Sequence, residues 1–157
     1  MDKTYKGCQH FEGVMSLPPA PPLSTSSYHL IFNYFCPNIG GNYIINHIKI
    51  AELISDEMII GSIEDGLDLV GNLFFQGFDR VVIHEKNITP HFFVLKNKIA
   101  GEILQKFSTY RISLAIVGDF SEYTSKSLRD FIVESNNHKH INFVTSTSEA
   151  IELFASK

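Results

Sequence analysis

Short apolar runs alternate along this chain with segments whose apolar residues recur every three or four positions. The runs RVVIH (80–84), ISLAIV (112–117) and INFVT (141–145) have the unbroken apolar character of strands that are covered on both faces. The segments between these runs have the spacing of amphipathic helices. Because parallel strands separated by helices are joined by right-handed crossovers, the alternation predicts an α/β domain with a largely parallel sheet.

Two further apolar segments precede the first helix. YII and IKIAELI flank the turn-forming pair Asn46 and His47, and β-branched residues on both sides predict an antiparallel hairpin. The predicted order is strand, strand, helix, strand, helix, strand, helix, strand, helix. We therefore expect a mostly parallel sheet of about five strands, with an N-terminal antiparallel hairpin and four helices.

Capping residues predict where the first and last helices begin. Ser62 with Asp65, and Ser146 with Glu149, have the spacing of capping boxes, and Gly77 is placed to end the first helix. The third helix is predicted over about 124–136. The residues expected on the buried faces are Ile63, Leu67, Val70 and Phe74 in the first helix, and Leu128, Phe131 and Ile132 in the third.

The second helix is predicted to begin at Thr89 and Pro90, because proline suits the first helical position. Gly101 lies inside this helix, and the absence of a side chain there predicts a close backbone approach. The side chains expected to face inward are Phe92, Leu95, Ile99, Ile103 and Phe107.

The N-terminal quarter of the chain differs in composition from the rest. Residues 16–27 contain four prolines and read as a linker, with a ligand for an aromatic groove as the alternative. Residues 28–39 are aromatic and suit either an added edge strand or self-association, so a homodimer is an open alternative. We expect 1–42 to be a Pro/Ser-rich extension and 43–157 to be a single α/β domain.

Charge and cysteine content limit the classes of function. Thirteen basic and seventeen acidic residues leave a net charge of −4, which gives no broad attraction for nucleic acid or anionic lipid. The apolar runs are far shorter than the roughly 20 residues that cross a bilayer, and no secretory signal is apparent. Cys8 and Cys36 form no ligand or redox motif, so we expect reduced thiols and a cytoplasmic protein.

Five segments carry a family resemblance: IKIAELISDEMII, VVIHEKNITPHFF, AGEILQKF, LAIVGDFS and SKSLRDFI. In this order they resemble the uncharacterised bacterial family called Domain of Unknown Function 4180, over about 43–154. The element order is also similar to that of the STAS domains of sulfate transporters and anti-sigma factor antagonists. This second resemblance implies a regulatory module that acts through protein contacts.

The resemblance to STAS antagonists also implies a phosphorylation switch. In such a switch, a serine or threonine at the start of the helix after the central strand is modified. Residues 90–107 contain no hydroxyl side chain, so only Thr89 stands near that position. The resemblance therefore does not extend clearly to such a switch.

Polar residues follow two neighbouring strands of the predicted sheet. HEKN (84–87) follows one strand, and Gly118 with Asp119 follows the next. Ligands of open parallel sheets bind beyond the carboxyl ends of the strands, so these residues define a candidate crevice. His84 is the candidate acid or base, and Glu85 or Asp119 would orient it. Lys86 and Asn87 are the candidate ligand-binding residues; the alternative is that HEKN only closes the sheet edge.

A second candidate anion site lies at the start of the third helix, where backbone amides are unpaired. Its residues are Thr124, Ser125, Lys126 and Arg129. Ordinary helix capping is the alternative interpretation. His138 and His140 lack further ligands nearby, so we expect no metal site and no cofactor.

No complete catalytic motif is present in the sequence. Our first hypothesis is a non-enzymatic STAS-like regulatory module that binds an unidentified protein. The alternative is a small-molecule (anion) binder or enzyme, with its site around His84 and Asp119.

Overall fold

The computed structural model describes residues 39–156 of the chain. The predicted linker at 16–27, both cysteines and all but the last residue of the aromatic segment 28–39 lie outside the described residues. The described residues contain five strands and four α-helices. The strands are β1 (Ile39–Ile45), β2 (Ile48–Leu53), β3 (Arg80–His84), β4 (Ser113–Val117) and β5 (Ile141–Val144). The helices are α1 (Ile63–Phe75), α2 (Ile99–Thr109), α3 (Lys126–His138) and α4 (Thr147–Ala155).

The five strands form one mixed sheet whose spatial order follows the chain, β1-β2-β3-β4-β5. β1 is antiparallel to β2, and the remaining neighbours are parallel. The predicted fold class, with its N-terminal hairpin and four helices, is confirmed. β1 begins at Ile39, four residues before the domain start expected from the sequence.

The hairpin between β1 and β2 closes through Asn46 and His47, whose φ angles are 50° and 67°. Left-handed conformation at both central residues is the requirement of a type I′ turn, which matches the twist of the flanking strands. The predicted two-residue connection is therefore confirmed.

The helices cover the two faces of the sheet unequally. Side chains of α1, α2 and α3 form one core with Leu53, Ile83 and Ile116. On the opposite face, Ala150 and Phe154 of α4 pack on the sheet. In α4 the backbone carbonyl of Phe154 also accepts a hydrogen bond from Arg80, which ties this helix to β3. No described helix has the length and apolarity needed to span a membrane.

The cap of α1 is confirmed, but its predicted buried face is wrong in part. Ser62 Oγ accepts from the Asp65 backbone N–H, and the Asp65 carboxylate accepts from the Ser62 N–H. Gly77 follows the helix with a φ of 73°. The buried residues are Gly66, Leu69, Val70 and Leu73, so the helix is rotated relative to the prediction. Phe74 is 56% exposed.

The predicted start of α2 is also wrong. Residues 90–97 form two short 3₁₀ turns, Pro90–Phe93 and Leu95–Asn97, and the α-helix begins at Ile99. Tertiary contacts explain the difference, because Thr89 N donates to Ile60 O and a β-bridge pairs Ile60 with Ile88. These contacts hold the segment against the loop before α1, and Lys98 with a φ of 60° separates it from the helix.

The predicted close approach at Gly101 is wrong, because nothing lies within 4 Å of the place where its Cβ would be. The close approach is at Gly66 of α1. A Cβ on Gly66 would lie 2.7 Å from Cγ1 of Ile103 in α2. The two helices therefore approach each other closely at a glycine that the sequence pattern did not single out.

Candidate functional site

The carboxyl ends of β3 and β4 lie side by side. The two strands are parallel, and His84 is in register with Val117. HEKN and the segment at Gly118 therefore follow the carboxyl ends of two adjacent strands, on the same side of the sheet, as predicted. The side chains of this edge, however, separate into different environments.

His84 points toward the face of the sheet that α4 covers. Its Nε2 lies 3.3 Å from Oε1 of Glu52, a buried residue of β2. The same carboxylate accepts hydrogen bonds from Thr147 Oγ1 at 3.0 Å and from Tyr43 OH at 2.8 Å. We call Tyr43, Glu52, His84 and Thr147 the Glu52 cluster.

In the Glu52 cluster, the other three side chains give the buried Glu52 carboxylate its hydrogen-bond partners. Without them, burial of this carboxylate would be costly. The hydrogen bond to Glu52 raises the pKa of Tyr43, and burial adds to the shift. Glu52 also orients the His84 ring, because a histidine nitrogen bonded to a carboxylate carries the proton in the neutral ring. The sequence pattern did not single out Glu52; the available signal was a carboxylate between the apolar residues Ala51 and Leu53 of a strand.

Glu85 points away from the Glu52 cluster and packs against Gly118. A Cβ on Gly118 would lie 2.7 Å from Cβ of Glu85, so this arrangement requires glycine. Tyr123 donates a hydrogen bond from its hydroxyl to Glu85 Oε1. Burial, followed by this hydrogen bond, raises the pKa of Tyr123 above its ordinary value of 10.0. Tyr123 therefore remains a protonated donor at neutral pH.

Glu85 and Tyr123 line a pocket of about 400 Å³, which we call the edge pocket. Lys86 contributes an ammonium group, and apolar side chains form the remaining walls. The lining residues are Met58, Glu85, Lys86, Ile88, Pro90, Phe93 and Tyr123. Lys86 Nζ lies 3.9 Å from the carboxylate of Asp56, and both side chains are exposed, so solvent screens this pair.

Asn87 is buried and holds the loop that follows β2. Its Nδ2 donates to the backbone carbonyl of Ser55 at 2.8 Å and to that of Glu57 at 2.7 Å. Its backbone carbonyl accepts from the backbone N–H groups of Ile59 and Ile60. These four contacts are internal to the fold, and Asn87 does not line the edge pocket.

Asp119 caps the short 3₁₀ turn Phe120–Glu122. Its Oδ1 accepts from the hydroxyl of Ser121 at 2.6 Å and from the Ser121 N–H at 3.0 Å. These bonds lower the pKa of Asp119, with the hydroxyl bond as the larger cause. Among the described residues, no hydrogen bond joins Asp119 to His84. The structure therefore brings Glu85 to Gly118 without pairing the predicted acid or base with Asp119.

At the start of α3, Ser125 Oγ accepts from the Leu128 N–H at 3.4 Å and caps the helix. Thr124, Lys126 and Arg129 are exposed there. None of these four lines the edge pocket. Thr89 caps the 3₁₀ turn at Pro90 through the N–H of His91.

His138 is an exposed residue at the end of α3. His140 Nδ1 lies 3.5 Å from Ser113 Oγ. Within residues 39–156, no three His, Cys, Asp or Glu side chains are grouped as metal ligands.

These elements define a layered α/β domain with a mixed five-stranded sheet. The model of the family described as Domain of unknown function (DUF4180) matches residues 45–154, which is more than half of the chain. The chain belongs to this family, as its sequence segments indicated.

A solved structure from Thermotoga maritima, titled a "putative anti-sigma factor antagonist", is also similar to the chain. It is 13% identical, with a TM-score of 0.38, and the match covers 71% of this chain and 91% of that one. At this identity the likeness concerns the fold alone. The comparison with curated proteins finds no match.

Proposed function

We propose that this protein is a non-enzymatic binding module that works through contact with another protein. The observation that carries this proposal is a pair of exposed aromatic side chains, Phe74 in the last turn of α1 and Tyr110 just after α2. Phe74 and Tyr110 are 56% and 40% exposed, and we call them the aromatic patch. The rings of Phe74 and Tyr110 meet edge to face at a centroid distance of 5.0 Å.

Adjoining exposed aromatic side chains favour a protein interface. Aromatic residues are enriched in the centres of interfaces, where they account for much of the binding free energy. An apolar patch on the surface of a folded domain is also a common mark of an interaction site. The regulatory role implied by the resemblance to STAS modules is part of this proposal.

The arrangement at the sheet edge supports the same proposal. Asn87 Nδ2 donates to two backbone carbonyls of the loop after β2, and Asp119 Oδ1 accepts from Ser121 in its own turn. His84 is bonded to a buried carboxylate, and Glu85 to Tyr123. These contacts give His84, Glu85, Asn87 and Asp119 a part in stabilising the fold.

The test compares partner capture by the native chain, by Phe74→Glu and by Val133→Glu. Val133 is a matched control, because it is 62% exposed on α3. We expect quantitative mass spectrometry of host lysate to find a protein that the native chain and Val133→Glu retain equally. Phe74→Glu should lose it, because a carboxylate in the centre of an apolar contact must be desolvated. Equal capture by all three proteins, or no reproducible partner, would contradict the proposal.

The edge pocket supports a second candidate function, the binding of a small molecule. Its volume of about 400 Å³ is within the range of ligand sites, and its apolar walls carry a few polar groups, as such sites do. Lys86 would bind an anionic group of the ligand, and Glu85 would accept a hydrogen bond from it.

Thermal unfolding with small organic acids, amines and nucleotides tests this second candidate. A ligand that binds the folded state raises the melting temperature. We expect the rise to be lost in Lys86→Ala and retained in Lys96→Ala, which removes a lysine that does not line the pocket. Absence of any rise across the panel would rule against the pocket as a ligand site.

A further inference from the structure

Two oppositely charged side chains line the edge pocket. Glu85 and Lys86 are neighbours in the chain, and they do not form an ion pair with each other. A ligand with only a negative charge would be repelled by the Glu85 carboxylate, and a ligand with only a positive charge by the Lys86 ammonium group. A ligand that carries both charges would meet an opposite charge at each group.

The carboxylate of Glu85 is held in place and has one oxygen left for a ligand. Tyr123 donates its hydroxyl to Oε1, and the missing side chain at Gly118 leaves room for the carboxylate. Within residues 39–156, Oε2 accepts no hydrogen bond and no lysine or arginine pairs with Glu85. Because each carboxylate oxygen is an acceptor, an ammonium group of a ligand finds a partner here.

Lys86 can exchange its present partner for a ligand. Its Nζ lies 3.9 Å from Oδ1 of Asp56, and both side chains are exposed. Exposed ion pairs contribute little to stability, because water screens them and the side chains lose freedom. A ligand carboxylate that reaches Lys86 from the pocket therefore competes with a weak contact.

The remaining walls suit an apolar group of the ligand. Aromatic surface comes from Phe93 and Tyr123, whose ring centroids lie 5.1 Å apart. Aliphatic surface comes from Met58, Ile88 and Pro90, and the flexible thioether of methionine adapts to ligands of different shape. The volume of about 400 Å³ is near the lower end of ligand sites, which favours a small molecule.

We propose that the edge pocket binds a free α-amino acid with an apolar or aromatic side chain. The ammonium group of the ligand binds Glu85, its carboxylate binds Lys86, and its side chain packs on the apolar walls. Both charged groups of an α-amino acid share one carbon atom, so two consecutive residues can hold them. This inference rests on the second candidate function, for which it names the ligand class, and it does not involve the aromatic patch.

Isothermal titration of the full chain with three molecules of similar size tests the need for both charges. L-Phenylalanine carries both groups, 3-phenylpropionate has only the carboxylate, and 2-phenylethylamine has only the ammonium group. The titrations extend to about 10 mM ligand, where even a weak site is occupied. We expect L-phenylalanine to bind at least about tenfold more tightly than either analogue, because each analogue leaves one charged group of the pocket unmatched.

Two variants assign each charge of the ligand to a residue. Glu85→Gln keeps an acceptor for the Tyr123 hydroxyl but removes the negative charge, so it should bind L-phenylalanine and 3-phenylpropionate equally. Lys86→Met keeps an apolar stem but removes the positive charge, so it should bind L-phenylalanine and 2-phenylethylamine equally. Lys96→Ala is the control, because Lys96 is an exposed lysine that does not line the pocket, and it should keep the native affinities.

Equal binding of L-phenylalanine and either analogue by the native chain would overturn this inference. A preference for L-phenylalanine that both pocket variants retain would also overturn it, because the two charges would then be bound elsewhere. If none of the three molecules binds, but another organic ligand raises the melting temperature of the native chain and not of Lys86→Ala, the amino-acid assignment fails and the second candidate function stands. If no ligand binds at all, both fail.

Discussion

Asn87 is a candidate site residue from the sequence whose side-chain hydrogen bonds stabilise the fold. Its side-chain amide bonds two carbonyls of the loop after β2, and it is 1% exposed. We expect Asn87→Ala to lower the free energy of unfolding by about 1–3 kcal/mol, because both hydrogen bonds are lost and a cavity remains. Lys86→Ala, at the exposed neighbour, should change it by less than about 0.5 kcal/mol. Urea denaturation measures both, and equal effects would argue against the internal role of Asn87.

The raised pKa of Tyr123 makes the stability of the protein depend on pH in the alkaline range. Its pKa is raised in the folded state, so the stabilisation is complete below the unfolded value of about 10 and is lost as the pH rises above it. We therefore expect Tyr123→Phe to destabilise the protein more at pH 8 than at pH 11. Denaturant unfolding of both proteins at the two pH values gives the comparison. A difference that is independent of pH would show that the hydrogen bond to Glu85 is absent in solution.

At the scale of elements, the contact between α1 and α2 depends on Gly66. We expect Gly66→Ala to cost about 1–3 kcal/mol of stability, because the new methyl group meets Ile103. Gly71 lies in the same helix with nothing within 4 Å, so Gly71→Ala should stabilise the protein by about 0.5–1 kcal/mol.

The partner residue provides a control for the Gly66 prediction. Ile103→Ala removes the atoms that the methyl group would meet, so the double variant should cost less than the sum of the two single variants. If the losses of unfolding free energy in the two single variants simply add in the double variant, then contact with Ile103 is not the cause of the Gly66→Ala effect.

The elements also show what the sequence could and could not predict. The order of strands and helices along the chain, the two-residue hairpin turn and the caps at Ser62 and Ser146 depend on local chemistry, and the structure confirms them. The start of α2 could not be predicted, because proline at position 90 suits a helix start and the contacts that prevent one come from the distant Ile60. The predicted buried face of α1 was wrong in part, because the spacing of apolar residues in this helix is compatible with more than one buried face.

At the scale of the whole molecule, the sequence predicted which strands meet but not where their side chains point. Parallel pairing of β3 and β4 placed HEKN beside Gly118, as expected. Whether His84 would meet Asp119 depended on rotamers and on Glu52, which lies more than thirty positions earlier in the chain. The aromatic patch was also missed, because Phe74 was assigned to the core.

The central claim is that the molecule works through its aromatic patch, and the affinity of the captured partner tests it most directly. Isothermal titration would compare the native chain with Phe74→Glu and with the edge-pocket variant Lys86→Ala. We predict that Phe74→Glu weakens binding by at least about 30-fold, which corresponds to a loss of about 2 kcal/mol. Lys86→Ala should leave the affinity unchanged. Weakened binding in Lys86→Ala together with native affinity in Phe74→Glu would contradict the account.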